Sequence, residues 1–97
     1  MAKLDEIKSI LTEHKVELQR KFKIRTIGIF GSMVRNEQRK GSDTDILVEF
    51  TEPVSLFEFM DTEHYIEKLI HNKVDLVSKK ALKHYIGKHI LNEVIYV

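Results

Sequence analysis

Three aspartates and one Gly-Ser pair are the residues of this chain whose types and spacing can do chemistry. Asp43 and Asp45 open an apolar run, Thr44 to Phe50. Side chains two apart on a strand project to the same side. Carboxylates so placed can bracket one or two magnesium ions, which prefer oxygen ligands. Upstream, Gly31-Ser32 follows the apolar run Ile24 to Phe30. A glycine there permits unusual dihedrals and close backbone approach, and unpaired amides at a following helix start favour an anion such as phosphate. Downstream, Asp75 interrupts the short apolar run Val74 to Val77 and needs solvent or a metal on its face.

Each piece has a plain alternative when taken singly. Gly-Ser after a strand is a common turn, and most Asp-x-Asp pairs are solvated turns. A lone acid in a short strand usually marks an exposed sheet edge. An EF-hand is not expected, because the central glycine and terminal glutamate of that loop are missing.

The elements that must position these residues follow from periodicity. Leu4, Ile7, Ile10, Leu11, Leu18 and Phe22 have helical spacing and predict one amphipathic helix over Lys3 to Phe22, with His14 an ordinary helix residue. Ile24 to Phe30 alternates and is β-branched, as a strand packed on one face would be. After the turn between Phe30 and Met33, Ser32 is expected to cap a short helix through about Glu37, and Asn36 to Ser42 to form a polar surface loop. In the strand Thr44 to Phe50, Ile46, Val48 and Phe50 share one face, and Asp45, Leu47 and Glu49 the other, with Asp43 beside them. Glu52-Pro53 closes it.

Ser55 with Glu58 forms a capping-box pattern. Leu56, Phe59, Met60, Ile66, Leu69 and Ile70 then predict a helix with an apolar, aromatic- and methionine-bearing core face, ending near Asn72 as its cap. After the strand Val74 to Val77, Ser78 is expected to cap a last helical region with Leu82, Tyr85, Ile86, His89 and Ile90 facing inward. Val94 to Val97 closes the chain as an extended or packed tail. The histidine pairs His64/His71 and His84/His89 lack metal-ligand spacing on a helix. Tyr85 and Tyr96 read as core or interface filling. The element order predicts an α+β, two-layer fold: a small mixed β-sheet covered on one face by helices.

Composition narrows the function classes. Ninety-seven residues suit one domain, 1–97. A formal charge of +1, from 16 basic and 15 acidic residues, argues against a dedicated duplex-nucleic-acid binder with a broad cationic face. The absence of cysteine excludes disulfides and thiolate zinc sites, and a cytoplasmic location is expected. The first residues mix charges too early for a signal peptide, and no apolar run approaches a membrane span.

Taken together, Gly31-Ser32, ten intervening residues, Asp43-x-Asp45 and the strand acid Asp75 resemble the signature of the polymerase-beta-like nucleotidyltransferase superfamily. The Gly-Ser-x-x-Arg and Ser-Asp-x-Asp motifs, the Val-Ser-Leu-Phe helix, Val-Asp-Leu-Val and the closing Ile-Leu-x-Glu-x-Ile-Tyr-Val extend the likeness. From about Ile24 onward the chain resembles the minimal nucleotidyltransferase family. The family often has glycine after the motif arginine, where this chain has Asn36.

That resemblance implies a polymerase-beta palm-like fold and a Mg²⁺-dependent transfer of a nucleoside monophosphate, AMP from ATP, to a hydroxyl. It implies that Asp43 and Asp45 hold two metal ions, with Asp75 binding the ion that activates the acceptor or taking its proton. Gly31 and Ser32 would cradle the β- and γ-phosphates, with Ser42 on the nucleotide as well. Arg35 would either meet a phosphate or brace Asp43 or Asp45. Three crowded acids would repel until metal binds, so magnesium should stabilise the fold. The family's minimal members are commonly antitoxins paired with HEPN-domain RNases, some modifying a tyrosine of that partner. A hetero- or homo-oligomer is therefore expected. Two alternatives stand beside it: an antitoxin that neutralises by contact alone, and a transferase for a small hydroxyl compound.

Overall fold

The computed structural model describes residues 4–37, 43–82 and 84–97, without the side chains of 84–86. Two helices lead, α1 (Leu4–Glu13) and α2 (Lys15–Phe22), followed by strands β1 (Ile24–Phe30) and β2 (Thr44–Phe50). Helix α3 (Leu56–Ile70), strand β3 (Val74–Ser78), helix α4 (His84–Glu93) and the short strand β4 (Ile95–Tyr96) complete the order. The strands form one mixed sheet in the order β3-β2-β1-β4. β1 pairs antiparallel with β2 and β4, while β2 and β3 run parallel across the connection through α3.

The expected stripe of the leading segment packs as its spacing requires. Ile7, Leu11 and Leu18 are fully buried, with Leu4, Ile10 and Phe22 packed at their margin. The expected single helix is divided at His14, whose φ of −98° and ψ of 7° depart from helical values. Hydrogen bonds from His14 N to Ile10 O and from Leu18 N to His14 O span the break, so the stripe stays continuous. These residues join Ile66 and Ile70 of α3 on the sheet face formed by Ile27, Ile29, Ile46, Val48, Val74 and Leu76.

β1 departs from plain alternation. Ile24 pairs with Phe50 but Thr26 with Glu49, so Arg25 is an extra residue that moves the core positions from Ile24 to Ile27 and Ile29. α3 begins with both hydrogen bonds of the capping box between Ser55 and Glu58. Its expected end at Asn72 falls one residue earlier: His71 takes the left-handed conformation that ends the helix. Asn72 instead donates to the hydroxyl of buried Thr44 at 2.7 Å.

The expectation that α3 buries its aromatic and methionine residues fails at its start. Leu56 and Met60 are exposed, and Phe57, next to them, is 78% exposed. Of this group, Phe59 packs against the core, its ring centroid 6.3 Å from that of Phe50. Ser78 caps nothing with its side chain; a 3-10 turn, Lys79–Ala81, intervenes before α4. His89, expected to face inward, is exposed. The closing tail is a strand, with Gly28 opposite Tyr96 and Ile29 opposite Ile95, and Val97 N donating to Ile27 O.

Candidate active site

The second face of the sheet gathers the expected chemistry at one end. Phe30, the last residue of β1, pairs with Asp45 at the start of β2, and Asp45 pairs in turn with Asp75 on β3. Neighbours in register on adjacent strands project to the same side, so Asp45 and Asp75 are side by side. Asp43 lies just before β2 and is exposed, as is Asp75, while Asp45 is half-buried. Thr44, between the two aspartates of the pair, points the other way and is fully buried. Its N–H donates to Lys73 O at 2.8 Å, which with the Asn72 bond fixes the start of β2 to the turn before β3.

Asp45 is the electrostatic centre. Burial, reinforced by the negative charges of Asp75 and Asp43, pushes its carboxyl up from 3.8 to about 6. Arg35 and a hydrogen bond from the Ser32 amide act in the opposite direction.

The Gly31-Ser32 turn lies directly against this acid. Gly31 has φ +81°, and an added Cβ would strike the Asp45 carboxylate, 2.8 Å from its Cγ. Only glycine meets both demands. The short helix expected through Glu37 is a single 3-10 turn, Gly31–Met33, with no side-chain cap, so Ser32 does not cap it. The chain then tightens through bonds from Val34 N and Arg35 N to Gly31 O and from Glu37 N to Ser32 O. Asn36 takes φ +58°, the left-handed region where asparagine is among the best-tolerated side chains. It meets the same backbone demand that glycine would. Ser42 lies outside the described residues, with most of the polar loop expected over 36–42.

Sequence periodicity missed Glu93, the last residue of α4. Its carboxylate accepts the Gly31 N–H at 2.7 Å and two bonds of 2.9 Å from Nη1 of Arg35. Nε of Arg35 donates to Glu37 at 3.1 Å. A signal was present: an acid in the last turn of a helix stands against the helix dipole, and this turn carries no basic residue.

Among the described residues, no three histidine, cysteine, aspartate or glutamate side chains are gathered closely enough to hold a metal ion by themselves. The aspartates nevertheless fit a divalent cation by their chemistry. They offer hard oxygen donors, and the burial and neighbouring negative charge that raise the Asp45 carboxyl are what a cation would offset. Magnesium commonly takes only one or two carboxylates and completes its shell with water and substrate phosphate.

With this geometry in place, the likeness to known proteins is specific. The family described as polymerase beta, nucleotidyltransferase, matches residues 5–97. The chain belongs to this nucleotidyltransferase family. It is 53% identical to protein adenylyltransferase MntA of Thermococcus cleftensis, over all of this chain and 98% of the relative. A solved minimal nucleotidyltransferase superposes with a TM-score of 0.74 at 27% identity, covering 92% of this chain and 93% of the other. A chain from a tri-AMPylated Shewanella oneidensis HEPN toxin in complex with MNT antitoxin superposes with a TM-score of 0.67. That match covers 93% of this chain and 70% of the other, and at 16% identity it is a likeness of fold alone. The α+β expectation and the family resemblance therefore both hold. No helix among the described residues is long and apolar enough to cross a membrane.

Proposed function

We propose that this nucleotidyltransferase moves AMP from ATP to a tyrosine hydroxyl of a HEPN-type RNase, with two Mg²⁺ ions at Asp43, Asp45 and Asp75, and thereby acts in the cytoplasm as an antitoxin. The observation that carries this reading is the register of Asp45 against Asp75 beside the Gly31-Ser32 turn. The Thermococcus relative, a protein adenylyltransferase by name, supports protein as the acceptor. The Shewanella complex, which pairs an AMPylated HEPN toxin with an MNT antitoxin, supports the class of partner.

In the transfer, the acceptor oxygen forms a bond to the α-phosphorus as the bond to pyrophosphate breaks, and the hydroxyl proton leaves. Magnesium, when bound, would neutralise charge on the phosphates and lower the pKa of the acceptor hydroxyl. Asp43 and Asp45 would serve as ligands, and Asp75 would bind the ion beside the acceptor or take the hydroxyl proton. Arg35, Ser32 and the backbone of the turn would meet the leaving phosphates; Ser42, proposed on the nucleotide as well, lies outside the described residues.

The direct test incubates the folded, metal-loaded chain with labelled ATP and the cognate HEPN protein. AMP on a tyrosine of the partner is the expected result, and an unmodified partner counts against the reading. Contact-only neutralisation is favoured by one observation, the exposed Leu56, Phe57 and Met60 at the start of α3. Asp43→Asn combined with Asp45→Asn separates the two. If neutralisation survives in a complex that still forms, contact suffices.

A further inference from the structure

Glu93 sits where a plain structural account does not put an acid. It ends α4, where the helix dipole opposes a negative charge, and it reaches into a site that already holds three aspartates. Its side chain is only 24% exposed, so its charge is partly withdrawn from water. The compensation comes from two donors alone among the described residues: the Gly31 N–H and Nη1 of Arg35.

These are the parts of the turn that the nucleotidyltransferase reading assigns to phosphate. Arg35 is gripped on two of its nitrogens, Nη1 by Glu93 and Nε by Glu37, which leaves Nη2 as the nitrogen these carboxylates do not take. A planar guanidinium gripped in this way has lost its rotational freedom before ligand arrives. β4 anchors the grip from behind. Immediately after Glu93, Val94 lies over Gly28, where an added Cβ would come within 2.6 Å of Val94 Cγ2, and Tyr96 pairs with Gly28. Residues 93–97 thus tie the end of α4 and β4 to β1 and the turn that follows it.

We propose that Glu93 is a positioning residue for the triphosphate: it orients the Arg35 guanidinium and holds the Gly31-Ser32 turn in its binding shape. This rests on the reading that Arg35 and the turn meet the β- and γ-phosphates. The sign of its effect is diagnostic. Removing a negative charge near a triphosphate should by Coulomb's law alone tighten ATP binding, whereas loss of positioning weakens it.

The test measures binding of Mg-ATP and of AMP to the full chain by calorimetry, for the parent, Glu93→Gln, Glu93→Asp, Arg35→Ala and the Arg35→Ala/Glu93→Gln double variant. Glu93→Gln is expected to weaken ATP about ten-fold, the scale of a hydrogen bond to a charged group. AMP, which lacks the two outer phosphates, should bind as before. Glu93→Asp should fall between, and it carries the measurement should the glutamine variant not fold. The double variant should lose less than the product of the two single losses, because part of the Glu93 effect runs through Arg35 and only the Gly31 contact is independent of it. Unchanged or tighter ATP binding in Glu93→Gln, with Arg35→Ala still weakened, overturns the positioning role and leaves the nucleotide reading intact. Equal weakening of ATP and AMP also overturns it, because that is general loosening of the fold. If Arg35→Ala itself leaves ATP binding unchanged, the phosphate reading of the turn fails and this inference fails with it.

Discussion

Asp45 and Asp75 stand opposite one another in register on the parallel strands β2 and β3, so two carboxylates from positions thirty residues apart share one small volume. The folded chain keeps them there at a cost in stability. Burial and the neighbouring acids raise the Asp45 carboxyl from 3.8 to about 6.

The sign of the resulting pH dependence follows from proton counting. Between about pH 4 and pH 6 the folded chain holds a proton at Asp45 that the unfolded chain has released, so metal-free stability falls as pH rises through this window and stays lower above it. After allowance for solvent screening of a partly exposed group, the loss is about 1 kcal/mol. Asp45→Asn should therefore stabilise the metal-free protein by about 1 kcal/mol at pH 7.5 and by little at pH 4. Urea unfolding at the two pH values checks this. The same variant should lose transfer activity by at least about 100-fold.

Magnesium should act on the same repulsion from the other side. At ten times its dissociation constant, a ligand bound only by the folded state adds about 1.4 kcal/mol, which for a domain of this size raises the Tm by several degrees. Thermal scans at matched ionic strength are expected to show this rise for the parent chain and a smaller one for Asp45→Asn or Asp75→Asn. A rise of equal size with sodium would mean screening alone.

Gly31 and Asn36 make a contrasting pair in the same turn. Gly31→Ala forces a side chain into φ +81° and against the Asp45 carboxylate, and should cost about 1–3 kcal/mol together with most of the activity. Asn36→Gly, at φ +58°, keeps the backbone conformation and should change stability by less than about 0.5 kcal/mol. Chemical denaturation and a transfer assay on both variants read the difference.

Ser55→Ala serves as a control for fold stability without a site effect. It removes the acceptor for Glu58 N in the capping box, beyond the opposite end of β2 from Asp45, and should cost about 1 kcal/mol. Activity per folded molecule should not change.

The local features of this chain were legible because their causes are local. The bounds of Ile24–Phe30 and Thr44–Phe50 follow from β-branched, alternating runs closed by glycine and by Glu52-Pro53. The capping box follows from two residues three apart. The errors share a different cause. Whether Leu56, Phe57 and Met60 are covered depends on what packs over the start of α3, and Asn72, expected to end that helix, is instead bonded to Thr44 on β2. The bulge at Arg25 is set by the register against β2, which periodicity along β1 alone does not contain.

For the site, the sequence by itself determined that Asp43 and Asp45 flank a residue pointing the other way, that Gly31-Ser32 ends a strand, and that Asp75 lies in a strand of its own. Those are consequences of the two-residue period and of turn chemistry. Only the tertiary structure decided that β3 lies beside β2 with Asp75 opposite Asp45, and that Glu93 returns from the end of the chain to Gly31 and Arg35. Strand order, register and the docking of a terminal helix are set by non-local packing on the shared core, and that packing brings the separate acids to one end of the sheet.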